Sequence, residues 1–129
     1  LLLSTFQTNV TNTHALLAPL LNSYKQQGGK VVHTGSQTYK FGVRGQLAYN
    51  VWKAALVGYF NTVRSDFAGR NVYCHLINPG GVENQRTANL RSKNANISGD
   101  IKISSEADVA NAICQALMQN EQHNLQLNV

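Results

Sequence analysis

The chain has 129 residues, a length that suits one modest domain with a real though not large hydrophobic core. Apolar residues make up 43% and charged residues 13%, which excludes an intrinsically disordered chain, and no apolar run approaches the ~20 residues of a membrane-spanning helix. The net charge of +5 sets eleven Lys and Arg against six Asp and Glu, and the basic residues are dispersed along the chain without the basic stripe interleaved with aromatics that marks a nucleic-acid interface.

The first predicted element is a helix over 2–24, where Leu3, Phe6, Val10, Leu17, Leu20 and Leu21 recur at three- and four-residue steps. Pro19 is expected to disturb its late part, and the glycines of "KQQGG" to end it. "KVVHTG" (30–35) is a short β-branched run bounded by glycine and is expected to be a buried strand. A polar loop follows over 36–46, then a second helix over 48–66 with Val51, Ala55, Leu56, Tyr59, Phe60 and Val63 on its apolar side. "VYCHLIN" (72–78) is almost continuously apolar, as suits a strand covered on both faces of a parallel sheet. Residues 84–103 are polar and poorly periodic and are expected to form a long loop, with Arg86, Arg91 and Lys93 solvated on it. A third helix is expected over 105–117, opened by a capping-box-like Ser105 and Asp108 and carrying a Val109, Ile113 and Leu117 stripe. The closing "NLQLNV" (124–129) alternates and predicts a last short strand.

Helices alternating with strands define an α/β fold with a parallel sheet and right-handed crossovers. Ligands of such sheets bind beyond the carboxyl ends of the strands, here the loops that carry Ser36 and Pro79-Gly80. Cys74 and Cys114 have no metal-binding or CxxC spacing and read as two buried reduced thiols. His14, His33, His75 and His123 fit neither a metal site nor a triad; His33 and His75 lie on strands as core or sheet-end histidines.

The second helix opens with Tyr49 and Lys53, four residues apart and so on one face. Ser36 stands thirteen residues before Tyr49, and Pro79 thirty after it. "GSQTYKFGVRGQLAYNVWKAAL" resembles the catalytic segment of the short-chain dehydrogenases/reductases, with its Ser, its Tyr thirteen residues on, and YxxxK. "INPGGVEN" is similar to the family's strand end, "FQTNVTNTHALLAPLL" to the helix with its catalytic Asn, and "SSEADVANAI" to a later helix. The resemblance runs from about residue 5 to 118 and implies the C-terminal, catalytic half of a doubly wound Rossmann-type fold, with 1–129 as a single partial domain. The family's glycine-rich TGxxxGxG turn does not occur in the sequence, so the chain alone is expected to have no useful cofactor affinity.

The resemblance implies an NAD(P)(H)-dependent oxidoreductase that interconverts a carbonyl and a secondary alcohol. Tyr49 would be the acid/base, Lys53 would activate it and bind the nicotinamide ribose, Ser36 would hold the substrate oxygen, and Asn9 would support a proton-relay water. Pro79, Gly80, Val82 and Asn84 would line the nicotinamide site, Asn84 standing where the family usually has Thr. The cofactor would be NADP or NAD, and the assembly a homodimer or homotetramer packed through the first two helices. The implied location is cytoplasmic, or an intracellular membrane if a preceding segment carries an anchor. The alternative is a truncated or inactive homologue that serves as a binding or assembly module. Elementary electrostatics suits the Tyr-Lys pairing: a free phenol titrates near 10, and a cation about 4 Å away is worth on the order of 4 kcal/mol at an effective dielectric of about 20. Trp52, beside Lys53, stands where the family prefers a small residue.

Overall fold

The structure, a computed structural model, describes residues 1–93 and 103–120. The first helical region is α1 (Leu2–Phe6), a π-turn at Gln7–Thr11, and α2 (Asn12–Gln27), all in helical backbone. The π-turn falls where Asn and Thr side chains compete with the backbone for carbonyls. Asn9 Nδ2 donates to the Thr5 carbonyl at 2.9 Å, the oxygen an ideal α-helix would give to the Asn9 N–H, and Thr13 Oγ1 donates to the Asn9 carbonyl at 2.7 Å. Pro19 lies inside α2 and does not end it. Leu17 and Leu21, on either side of it, are packed into the core, and that burial outweighs the lost hydrogen bond. The helix runs on to Gln27 and stops at Gly28, whose positive φ of 75° glycine adopts without strain.

Strands β1 (Gly29–Thr34) and β2 (Val72–Ile77) pair in parallel, from Gly29 opposite Val72 to Thr34 opposite Ile77, and α3 (Leu47–Asp66) is the helix of the connection between them. Strand alternation sorts the side chains to two faces. Val72, Cys74 and Leu76 turn to α2 and α3 and meet Leu21, Leu56, Phe60 and Val63. Ile77 turns the other way, to Ala112 and Ala116 of α5 (Glu106–Met118). Helices therefore cover both faces of a parallel sheet, as in a Rossmann-type fold. β2 is buried as expected, but β1 is only half-buried, with β2 as its one strand neighbour among the described residues.

Beyond β2, β3 (Gly81–Val82) pairs in parallel with β4 (Ile103–Ser104). The expected long loop is partly helical, since α4 covers Gln85–Lys93. Asn84 starts it: its Oδ1 accepts from the Thr87 N–H at 2.9 Å, a cap that a search for apolar periodicity does not register. Residues 94–102 of that loop and the strand expected at 124–129 lie outside the described residues. α5 opens with the full capping box of Ser105 and Asp108. Its buried residues are Ala112 and Ala116 rather than the larger Val109, Ile113 and Leu117, because small side chains let the helix sit close to the sheet. Ile113 packs at the edge of that contact, while Leu117 is 47% exposed. Cys74 is buried as expected, but Cys114 is exposed on α5. No described helix is long and apolar enough to cross a membrane.

Candidate active site

The carboxyl ends of β1 and β2 are tied together by their loops. The Gly35 N–H donates to the Ile77 carbonyl at 2.6 Å, Ser36 N–H to Asn78 Oδ1 at 3.2 Å, and Gln37 N–H to the Pro79 carbonyl at 2.9 Å. Asn78, only 1% exposed, thus fixes the backbone of Ser36. It also explains Gly35: a Cβ there would collide with Asn78 Oδ1. The Ser36 side chain is set by a tight local turn, in which its Oγ accepts from the Thr38 N–H at 3.3 Å and pairs with Thr38 Oγ1 at 3.0 Å. Asn78 was missed in the sequence. The signal for it is a polar side chain closing an apolar strand, where burial demands a hydrogen-bond partner.

α3 brings Tyr49 and Lys53 to the same place. Lys53 is 8% exposed, and its Nζ donates at 3.0 Å to both the Thr34 and Gly35 carbonyls. An ammonium has three N–H donors, so one remains to serve a ligand. Burial lowers the Lys53 pKa from 10.5 to about 8. Its Nζ lies 5.7 Å from the centre of the Tyr49 ring and 4.4 Å from that of Trp52. Tyr49 and Trp52 meet edge to face, with centres 5.2 Å apart.

These groups open onto a cleft of about 840 Å³. Ser36, Tyr49, Lys53, Pro79, Gly80, Val82 and Asn84 all line it. Asn9 does not: it sits in the π-turn, with its side chain turned back to the Thr5 carbonyl. Arg86 and Thr87, read from the sequence as part of a polar loop, line the cleft from the first turn of α4. Asn84 uses Oδ1 on Thr87, leaving its amide N–H groups for a ligand.

His33, on β1, is not among the cleft-lining residues and stacks on Phe60 with centres 4.6 Å apart. Burial, and then the Lys53 charge, lower its pKa from 6.5 to about 4. Between those values the unfolded chain binds a proton that the folded chain refuses, so stability is full above about 6.5 and is lost as pH falls towards about 4. The loss amounts to about 3 kcal/mol. Urea unfolding across this range checks it: His33→Phe should flatten the acid limb, and an unchanged limb would remove His33 as its cause.

Helices thus pack on both faces of the parallel sheet, and Ser36, Tyr49 and Lys53 gather in the cleft at its strand ends. Residues 2–95 match the short chain dehydrogenase family, and the chain belongs to it. It is 27% identical over 92 residues to a 3-oxoacyl-[acyl-carrier-protein] reductase of Rattus norvegicus, covering 71% of this chain and 39% of the relative. To carbonyl reductase family member 4 of Danio rerio it is 29% identical over 94 residues, covering 73% and 40%. Its fold resembles that of an L-sorbose reductase from Gluconobacter frateurii solved with NADPH and L-sorbose. The TM-score is 0.72 at 19% identity, over 88% of this chain and 49% of that one. The chain thus spans about two fifths of the length of these sequence relatives.

Proposed function

We propose that the protein is an NAD(P)(H)-dependent oxidoreductase interconverting a carbonyl and a secondary alcohol, with this chain contributing the catalytic half as a single unit. The observation that carries the reading is the convergence of Ser36, Tyr49 and Lys53 with the Pro79-Gly80 turn on one cleft. The residues suit a nicotinamide riboside: Lys53 keeps an N–H beyond its two carbonyl partners, and Asn84 keeps its amide donors. When bound, the nicotinamide supplies or accepts the hydride at the substrate carbon.

In the reducing direction Ser36 Oγ donates to the substrate oxygen and holds the carbonyl towards Tyr49. The Tyr49 phenol releases its proton to that oxygen as negative charge develops there, completing the alcohol. Lys53 supplies positive charge beside the phenol and holds a ribose hydroxyl with its remaining N–H. In oxidation Tyr49 takes the proton back. Asn9 is proposed to act only through water, consistent with its place outside the cleft lining.

The reading extends to assembly. Leu16, 72% exposed, and Leu20, 47% exposed, lie on α2, and a groove of about 620 Å³ runs between α2 and α3. We place the homodimer or homotetramer contact on these two helices. The location proposed is cytoplasmic.

The test is turnover. The native protein is offered NADPH or NADH with a panel of ketones and 3-oxoacyl thioesters, and loss of reduced cofactor is followed. Consumption that depends on the ketone supports the reading. Cofactor binding without consumption of any panel member would favour an inactive homologue acting as a binding or assembly module.

A further inference from the structure

Among the described residues, the buried Lys53 ammonium has no carboxylate beside it. Its neighbours are the Thr34 and Gly35 carbonyls and His33 from β1 and its turn, and Tyr49 and Trp52 from its own helix. Across the cleft, α4 presents Arg86, a second cation, and no Asp or Glu lines the cleft among the described residues. Two carbonyl dipoles are thin compensation for a charge taken out of water. The shortest ring contact of the ammonium is the Trp52 indole, at 4.4 Å from its centre, well inside the range of a cation–π interaction and with the most favourable aromatic partner. The same indole holds the Tyr49 ring edge to face, at 81°. One side chain therefore touches both members of the Tyr-Lys pair.

We propose that Trp52 is a positioning residue of this site, its indole face serving as the counter-charge that keeps the Lys53 ammonium in place and its edge-to-face contact setting the Tyr49 ring. Its role in turnover rests on the oxidoreductase reading above, whereas its contact with Lys53 does not. A small side chain in place of Trp52 would leave Lys53 with its two carbonyl partners and the more distant Tyr49 ring, 5.7 Å from its centre. Trp52 is also the sole tryptophan of the chain and lines the cleft, so its emission should respond directly to anything bound there.

The experiment is an NMR titration of Lys53 in the native protein carrying carbon-13 lysine, which needs no turnover. In the wild type the Lys53 Hε resonances are expected upfield of the ordinary lysine position, shielded by the indole face. Trp52→Leu keeps apolar bulk but removes the π face, and should lower the Lys53 pKa by between about half a unit and about one and a half units. Trp52→Phe retains a weaker face and should restore part of the shift. An unshielded wild-type Hε signal overturns the proposal even if Trp52→Leu fails to fold. Equal titrations for the wild type and Trp52→Leu, or for the Leu and Phe variants, also overturn it. If the titration behaves as expected while the native protein consumes no reduced cofactor, the pairing stands and the oxidoreductase reading falls instead.

Discussion

Tyr49→Phe is expected to cost turnover about 100-fold to 10,000-fold, the range that loss of a positioned acid/base brings, while cofactor affinity stays largely intact. The separation follows from what the substitution removes. Phe keeps the ring that meets Trp52 at 5.2 Å and lies 5.7 Å from the Lys53 ammonium, so the packing of the site is retained. Only the hydroxyl goes, and with it the proton that must reach the substrate oxygen. Ser36 and Thr38 keep their turn, because their hydrogen bonds do not involve Tyr49. Steady-state kinetics beside a cofactor titration checks the result. Near-normal turnover in Tyr49→Phe would exclude Tyr49 as the acid/base.

Lys53→Met is expected to act differently, lowering turnover and cofactor affinity together with little change in stability. Two opposing terms set the stability. Loss of the ammonium takes a donor from the Thr34 and Gly35 carbonyls, at roughly 1–3 kcal/mol for the buried Gly35 carbonyl and less for Thr34, which is exposed to water. Against this, the fall of the Lys53 pKa from 10.5 to about 8 marks an ammonium whose burial costs about 3 kcal/mol, a cost that Met does not carry. The terms are of similar size, so thermal unfolding should move little while the ribose contact and the charge beside Tyr49 both disappear. A variant that keeps full cofactor affinity would remove Lys53 from the ribose site. A variant that unfolds would show its structural role to be dominant.

The comparison of sequence with structure follows one physical division. Spacing along a helix and the order of strands are local or near-local properties: they set Tyr49 and Lys53 on one helix face and Ser36 and Pro79-Gly80 at strand ends, the family resemblance joined them into one site, and all of them line one cleft. Contacts between distant segments were not legible. The Asn78 amide reaches back across 42 residues to Ser36, and only the pairing of β1 with β2 makes that meeting possible. The α4 helix was hidden because its start depends on an Asn84 cap rather than an apolar stripe. In α5 the largest apolar residues mark the stripe in the sequence, whereas the close approach to Ile77 selects Ala112 and Ala116. Asn9 shows the same limit from the other side. Its motif was readable, but the π-turn turns its amide to the Thr5 carbonyl instead of the cleft. Trp52 was visible only as an unusual neighbour of Lys53, and its ring contacts became plain once both side chains had positions.

The central claim is that the Lys53, Asn84 and Pro79-Gly80 cleft is the nicotinamide end of a cofactor site. A fluorescence titration of NADPH and NADH tests it most directly, on this chain and on the protein in its longest natural form. Saturable binding of at least one cofactor by the longest form is expected, accompanied by quenching of Trp52 and weakened by Lys53→Met. Binding of neither cofactor by that form would contradict it.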